Sequence, residues 1–522
     1  MRLSKSSFRT DPQLRAISHD RGNVASVTGM TLVAGVDSST QSTKVILCRA
    51  DDGTVVGSAS APHPDGTECP PDRWWEALTS AGRDLLERAD AVGVAAQQHG
   101  MVVLDESGAV IRPAMLWNDV KSAPQAAALV EEFGGPAEWA ARTGSVPTMS
   151  FTVTKLRWLA EHEPAHAARV HRVLLPHDWL TWRLAGGGPG SGIEPTTDRG
   201  DASGTGYFSP VEGGWLPEYA RLALGRPVTL PRVAGPSEVV GQASWGAALS
   251  AGTGDNMGAA LGLGLLDGDV AVSIGTSGTA YATTAKPSAD PSGLISGFAD
   301  ATGRFLPLAA TINAARVLDV TARMLGVSAS GLSELALAAE AGAGGVTLLP
   351  YLDGERTPNR PAANGVLRGL TTSNARPENL ARAAVEAVLC SLADAIDWLK
   401  SSGGATPRTP QGMPDGKAKI SDMRPCGITP SRIVLSGGAA KSAAVRRIAP
   451  AIFGLPVAVP EAAEYVALGA ARQAAWALSR AAEPPAWPAP PSVMYEAEAT
   501  AEVRERYAAL RDDAAAWQVT ER

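Results

Sequence analysis

The chain has 522 residues, 45% of them hydrophobic and 19% charged, the balance of a water-soluble globular protein too long for one ordinary core, so two domains are expected. A formal charge of -7 argues against a nucleic-acid-binding surface. No apolar run approaches the roughly 20 residues that cross a bilayer, and the four cysteines, Cys48, Cys69, Cys390 and Cys426, lack CxxC spacing, as reduced thiols of a cytoplasmic protein would.

Residues 1–30 carry Arg2, Lys5, Arg9, Arg15 and Arg21 but no apolar stretch long enough for a secretory signal. With Met30 directly ahead of the first strand, they are expected to be a disordered leader or the product of a start assigned too early. Thr31 to Val36 reads as an apolar strand ending at Asp37; Ser38 to Ser42 is a hydroxyl-rich turn, and Lys44 to Leu47 resumes as a strand. Asp72 opens an amphipathic helix running towards Arg88. The apolar run Ala91 to Ala96 then reads as a buried strand ending at Gln97-Gln98-His99-Gly100, and polar groups just past such strands are where open α/β sheets bind ligands.

Ala114 to Asp119 similarly runs a strand into Trp117, Asn118 and Asp119. His177-Asp178-Trp179-Leu180 precedes a Gly/Pro-rich loop at 186–192. The run Asp198 to Gly206, rich in Asp and Gly, reads equally as a local turn or as part of a ligand cleft, with Asp201 the residue in question. Gly252-Thr253-Gly254 is an unhindered turn that delivers Asp255 and Asn256 to the start of a helix-like run from Met257 to Leu266. Asp255 reads locally as an N-cap or as a general base, and one carboxylate can serve both.

Asp269 to Ile274 is strand-like, breaks at Gly275-Thr276-Ser277-Gly278 and resumes as Thr279 to Thr283. Small residues at such a turn let backbone N–H groups close around an anion. The same strand, turn, strand pattern at 31–47 makes a repeat, implying two related lobes that each offer a hairpin to one nucleotide. Leu380, Ala384, Val385, Val388, Leu389, Leu392 and Ile396 recur at helical spacing behind Pro377. Residues 403–430 lack periodicity and read as a loop insertion. The strand Arg432 to Leu435 runs into Ser436-Gly437-Gly438-Ala439-Ala440-Lys441-Ser442. The small residues of Ala467 to Ala471 predict a helix packed closely beneath the nucleotide lobe, and a terminal helix is expected within 496–517. Domain boundaries are placed at 31–266, 267–480 and 481–522.

The ordered set of Asp37, His99, Asp255, Gly275 and Gly437, with Pro350-Tyr351 and Gly354-Glu355-Arg356-Thr357-Pro358, resembles the FGGY family of carbohydrate kinases. Within it, Gln97-Gln98-His99-Gly100 is similar to the Gln-Met-His-Gly segment of the xylulokinase branch, with Gln98 in place of Met. Leu116-Trp117-Asn118-Asp119 matches that branch too, whereas the Asn-Gln-Arg-Glu-Thr segment of glycerol kinases is absent. The resemblance implies an α/β fold of two ribonuclease H-like (actin-like ATPase) domains with an interdomain cleft. It implies ATP-dependent phosphorylation of a ketose at its terminal hydroxyl, D-xylulose first, with other ketoses or polyols (ribulose, arabinitol, gluconate, glycerol) as the alternative and an actin-like ATPase behind them.

By the same resemblance Asp255 is the base, Gln98, His99, Asp255 and Asn256 hold the sugar, and Asp37 serves Mg2+ through water. Ser39, Thr40 and Gln41 of the first hairpin, Gly275, Thr276 and Ser277 of the second, and Gly437, Gly438 and Ser442 border the nucleotide. Taken alone, His99 reads as an ordinary core histidine and Asp37 as a strand-end turn acid. ATP, Mg2+ and a small sugar are the expected partners, with no nucleic acid and no membrane, and a homodimer is the commonest assembly for such a protein.

Overall fold

The computed structural model describes residues 30–400 and 427–517. Residues 1–29 of the expected leader and 403–426 of the expected insertion lie outside them. Leu32–Ser38 (β1) is an almost continuous run of small and branched apolar side chains and is buried on both faces, as the centre of a sandwiched sheet requires. It turns back antiparallel into Ser42–Arg49 (β2), which pairs with Val55–Pro62 (β3), an edge strand with one face in solvent. Helix Pro71–Leu86 (α1) starts with proline at its first position, where a missing N–H costs nothing, and buries Trp74 and Leu78. Ala91–Ala96 (β4) then lies parallel to β1, completely buried.

The sheet is completed by Val239–Gln242 (β5), Ala248–Ser250 (β6) and Thr253–Gly254 (β7), giving the order β5-β6-β4-β1-β2-β3 with β7 also on β4. Asp255–Leu263 (α2) leaves directly from β7. The second sheet repeats the plan. Asp269–Ile274 (β8) turns antiparallel into Gly278–Tyr281 (β9), and Ser296–Ala299 (β10) and Phe305–Thr311 (β11) extend that side. Helix Pro377–Lys400 (α3) covers the sheet and is buried nearly all round beyond Ala383, more than the single apolar stripe of its sequence predicts.

Arg432–Ser436 (β12) and Val457–Pro460 (β13) then add parallel to β8, giving the order β10-β11-β9-β8-β12-β13 with Ser492–Tyr495 (β14) on the far edge. In both sheets a hairpin is followed by parallel strands laid beside its first strand. This duplicated arrangement is the two-lobed ribonuclease H-like fold. Between β12 and β13 lies helix Ala443–Phe453 (α4), and after β13 come Tyr465–Ser479 (α5) and Ala501–Trp517 (α6).

Helix α5 sits where its sequence did not lead us to expect it. Its small residues pack on the first sheet, against β1, β4 and α2, rather than beneath the nucleotide lobe. The approach is backbone on backbone. A Cβ at Gly469 would stand 1.8 Å from the Gly258 carbonyl oxygen, and one at Gly35 equally close to that of Ala467. Gly469→Ala must therefore push the helices apart and is expected to lower stability by about 3 kcal/mol, read from denaturant unfolding.

The tail holds strand β14 besides its helix. It also touches both lobes, since Trp487 donates its indole N–H to Ala50 O at 3.0 Å while Arg504 on α6 pairs with Asp397 of α3 at 2.6 Å. Among the described residues no helix is long and apolar enough to cross a membrane, and Cys48, Cys69 and Cys390 are buried free thiols.

Candidate functional site

Three parallel strands end together in the first lobe. Asp37 of β1 and Thr253 of β7 both lie opposite Ala95 of β4, one on each side; at the usual strand spacing their Cα atoms stand about 10 Å apart. The next residues of the three strands are therefore neighbours: the first hairpin turn from β1, Gln97-Gln98-His99 from β4, and Asp255-Asn256 from β7. None of these is adjacent in sequence. The parallel register assembles them.

Asp255 is the first residue of α2 rather than its cap, a position held by Gly254. Its Oδ1 accepts from Asn256 N at 2.8 Å and Asn256 Nδ2 at 2.9 Å, while Oδ2 accepts no side-chain hydrogen bond among the described residues. The carboxyl is half-buried. Burial, with the charges of Asp37 and Asp201 behind it, pushes its pKa up to about 7. Asn256 also donates to Gln98 Oε1 at 3.0 Å, which fixes that amide; among the described residues the buried Gln98 Nε2 has no partner, and Gln97 Nε2 is in the same state. Buried donors without partners are rare in folded proteins and mark places where a ligand completes the network.

His99 adopts φ 67°, the left-handed region that a non-glycine residue seldom occupies. Its Nδ1 bonds Gly204 O at 2.6 Å and its ring stacks on Phe151. Burial and the neighbouring Lys155 ammonium push its pKa down to about 3. The imidazole is thus neutral, with Nδ1 donating, and Nε2 is left as an acceptor. Lys155, itself buried, bonds His99 O at 3.2 Å and the Ser150 carbonyl; burial pulls it down to about 7.

Asp37 is buried, and that burial raises its pKa, opposed by a hydrogen bond from Ser39 Oγ at 2.5 Å and by Lys44, whose Nζ lies 3.7 Å away. Lys44 also bonds Glu464, the residue before α5, at 2.6 Å. Ser39 thus turns its hydroxyl to Asp37. Thr40 accepts from Trp117 Nε1 at 2.8 Å and donates to Gln97 Oε1 at 3.4 Å, tying the hairpin to the end of β4; Gln41 is exposed. A carboxylate beside a hydroxyl-rich turn suits Mg2+, which prefers oxygen ligands, keeps several waters and takes phosphate oxygens. Among the described residues no cluster of three or more His, Cys, Asp or Glu could cage a metal.

In the second lobe the turn Gly275-Thr276-Ser277 closes β8 onto β9 through Gly275 N to Ser277 O at 3.0 Å, with Thr276 exposed. Gly437, at φ 90°, lies against the backbone of Ile274, so the ends of β8 and β12 form one glycine-lined surface, with Gly438 open beside it. Ser442 follows that surface at the start of α4, which its hydroxyl caps by accepting from Val445 N at 3.4 Å.

Asp201 is fully buried, and its Oδ2 bonds His177 Nδ1 at 2.7 Å. Burial alone would lower His177, but Asp178, Asp201 and Asp198 outweigh it and raise the imidazole to about 9. Sequence reasoning missed this charged cluster, as it missed Lys44, Lys155 and Arg356. The Arg356 guanidinium, from the second lobe, is close enough for its charge to lower both His99 and Lys155. For Arg356 the motif around Glu355 was the available signal; Lys155 carried none.

Comparison with known proteins gives the family. Residues 32–271 match the model described as FGGY family of carbohydrate kinases, N-terminal domain, and residues 270–478 match the C-terminal domain. A xylulose kinase of Streptomyces coelicolor is 46% identical over 86% of this chain and 88% of the relative. One of Streptomyces rubiginosus is 44% identical over 93% of this chain and 96% of the relative. The crystal structure of xylulose kinase from Bifidobacterium adolescentis superposes with a TM-score of 0.82 at 42% identity, covering 92% of this chain and 99% of that one. Matched by the family's domain models over nearly all its described length, the chain belongs to the FGGY carbohydrate kinases.

Proposed function

We propose that this kinase transfers the γ-phosphoryl group of ATP to the terminal hydroxyl of D-xylulose, giving D-xylulose 5-phosphate and ADP. The observation that carries the reading is Asp255, a half-buried carboxyl with one free oxygen and a pKa pushed up to about 7, placed beside unpaired amides. Asp255 takes the proton as the hydroxyl oxygen attacks the γ-phosphorus and the bond to ADP breaks. Gln98 Nε2 donates to a sugar oxygen, neutral His99 accepts from a hydroxyl through Nε2, and Asn256 orients the base. Bound Mg2+ would neutralise phosphate charge, with Asp37 holding it through water. The two turns Ser39-Thr40-Gln41 and Gly275-Thr276-Ser277 border the phosphates, and Gly437 and Gly438 offer a flat backbone to the nucleotide.

The test is ADP production over a panel of D-xylulose, D-ribulose, D-arabinitol, gluconate and glycerol at equal concentrations. D-Xylulose is expected to give the highest kcat/KM; a different best substrate overturns the sugar assignment, and sugar-independent turnover overturns the kinase reading. Because the base works only when ionised, kcat/KM for the sugar is expected to fall about tenfold per pH unit below a midpoint near 7. An acid limb near pH 4, where an ordinary aspartate titrates, would reject the raised pKa.

A further inference from the structure

The turn that delivers Asp255 is gripped from behind by a single side chain of α5. Gln473 is completely buried. Its Oε1 accepts from Gly252 N at 3.0 Å and Ser250 Oγ at 3.1 Å, and its Nε2 donates to Gly252 O at 3.0 Å. The amide thus satisfies both backbone groups of one residue, as a neighbouring strand would. Gly252 needs this support, since at φ +79° it has left the regular strand conformation, and the next residues, Thr253 and Gly254, lead straight into Asp255. On the opposite side Thr253 Oγ1 donates to Asp198 Oδ2 at 3.0 Å, and Asp198 is anchored by Gly200 N and Asp201 N. The turn is held between two buried groups, Asp198 and Gln473.

We infer that Gln473 is a positioning residue for phosphoryl transfer, whose two-point hold on Gly252 sets where the Asp255 carboxylate stands relative to the acceptor hydroxyl. The inference rests on Asp255 acting as the base. A displaced base binds substrates as before but fails to meet the proton; misplacement by about 1 Å costs on the order of 100-fold in rate. Glu464, which precedes the same helix and holds Lys44 beside Asp37, makes α5 the common support of both acids.

The experiment compares Gln473→Leu, Gln473→Glu and Asp255→Asn in the full chain, each normalised to folded protein. Gln473→Leu is expected to lower kcat about 100-fold, with KM for sugar and MgATP changed less than about threefold. A buried glutamic acid is neutral near pH 7 and can copy the amide, its O–H donating to Gly252 O and its carbonyl accepting from Gly252 N. Gln473→Glu is therefore expected to regain at least about tenfold of the loss. Its activity relative to wild type should fall as the pH rises and the new carboxyl ionises among His177, Asp178, Asp198, Asp201 and Asp255. Equal kcat for the Leu variant and wild type, or a Glu variant no better than Leu at any pH, overturns the inference if Asp255→Asn is inactive. An active Asp255→Asn overturns the base reading itself, and the positioning role with it.

Discussion

Asp255→Ala is expected to lower kcat for sugar phosphorylation about 10³-fold, within the range that general-base catalysis supplies, while the Kd for nucleotide stays within about threefold. The hydrogen bonds the carboxylate accepts come from Asn256, so its loss removes the proton acceptor without disturbing the hairpins or the glycine-lined surface of the second lobe. Alanine also empties one side of the hydrogen bonds that hold Asn256, and through it Gln98 Oε1. KM for the sugar is therefore expected to rise modestly alongside the fall in kcat. A coupled ADP assay with a parallel nucleotide titration separates these effects. Near-normal turnover would reject the assignment of Asp255.

Asp37→Asn is expected to cost about 10³-fold in kcat, since neutralising one charged group of a phosphoryl-transfer site removes stabilisation where charge is greatest. A second consequence has a definite sign. The Asp37 carboxylate is one of the charges that raise Asp255, so its removal lowers the Asp255 pKa and moves the acid limb of the residual activity below 7. It also frees Lys44 to pair with Glu464 alone. Residual turnover followed against both pH and Mg2+ concentration checks the two effects. An acid limb unchanged in Asp37→Asn would mean that the two carboxylates do not feel one another.

Strands β1, β4 and β8 were legible because each is a short apolar run that ends abruptly in polar or small residues, at Asp37, Gln97 and Gly275, whereas the two residues of β7 read as a turn. What such runs do not encode is which neighbour each strand takes, and the contacts that depend on that choice were invisible. Gln473 lies 221 residues from Gly252, and nothing near it in sequence marks it as more than one polar residue in an alanine-rich helix. The His177–Asp201 pair is hidden in the same way, although each residue stands in a segment that was singled out. Ser442, expected from the glycine run before it to border the nucleotide, also begins a helix, the commoner use of Ser at such a place. Strand β14 escaped notice because four residues paired to β13 carry no periodicity of their own.

The placement of α5 bears on how the chain is made. A ribosome delivers β1, β4 and α2 within the first 263 residues, yet the helix that covers them is synthesised only at 465–479. Until then the bare glycines of that face have no cover, so the N-terminal half emerges early and is completed last. Such distant closure is slow, and a nascent chain of this protein must wait, half-clothed, until α5 is made.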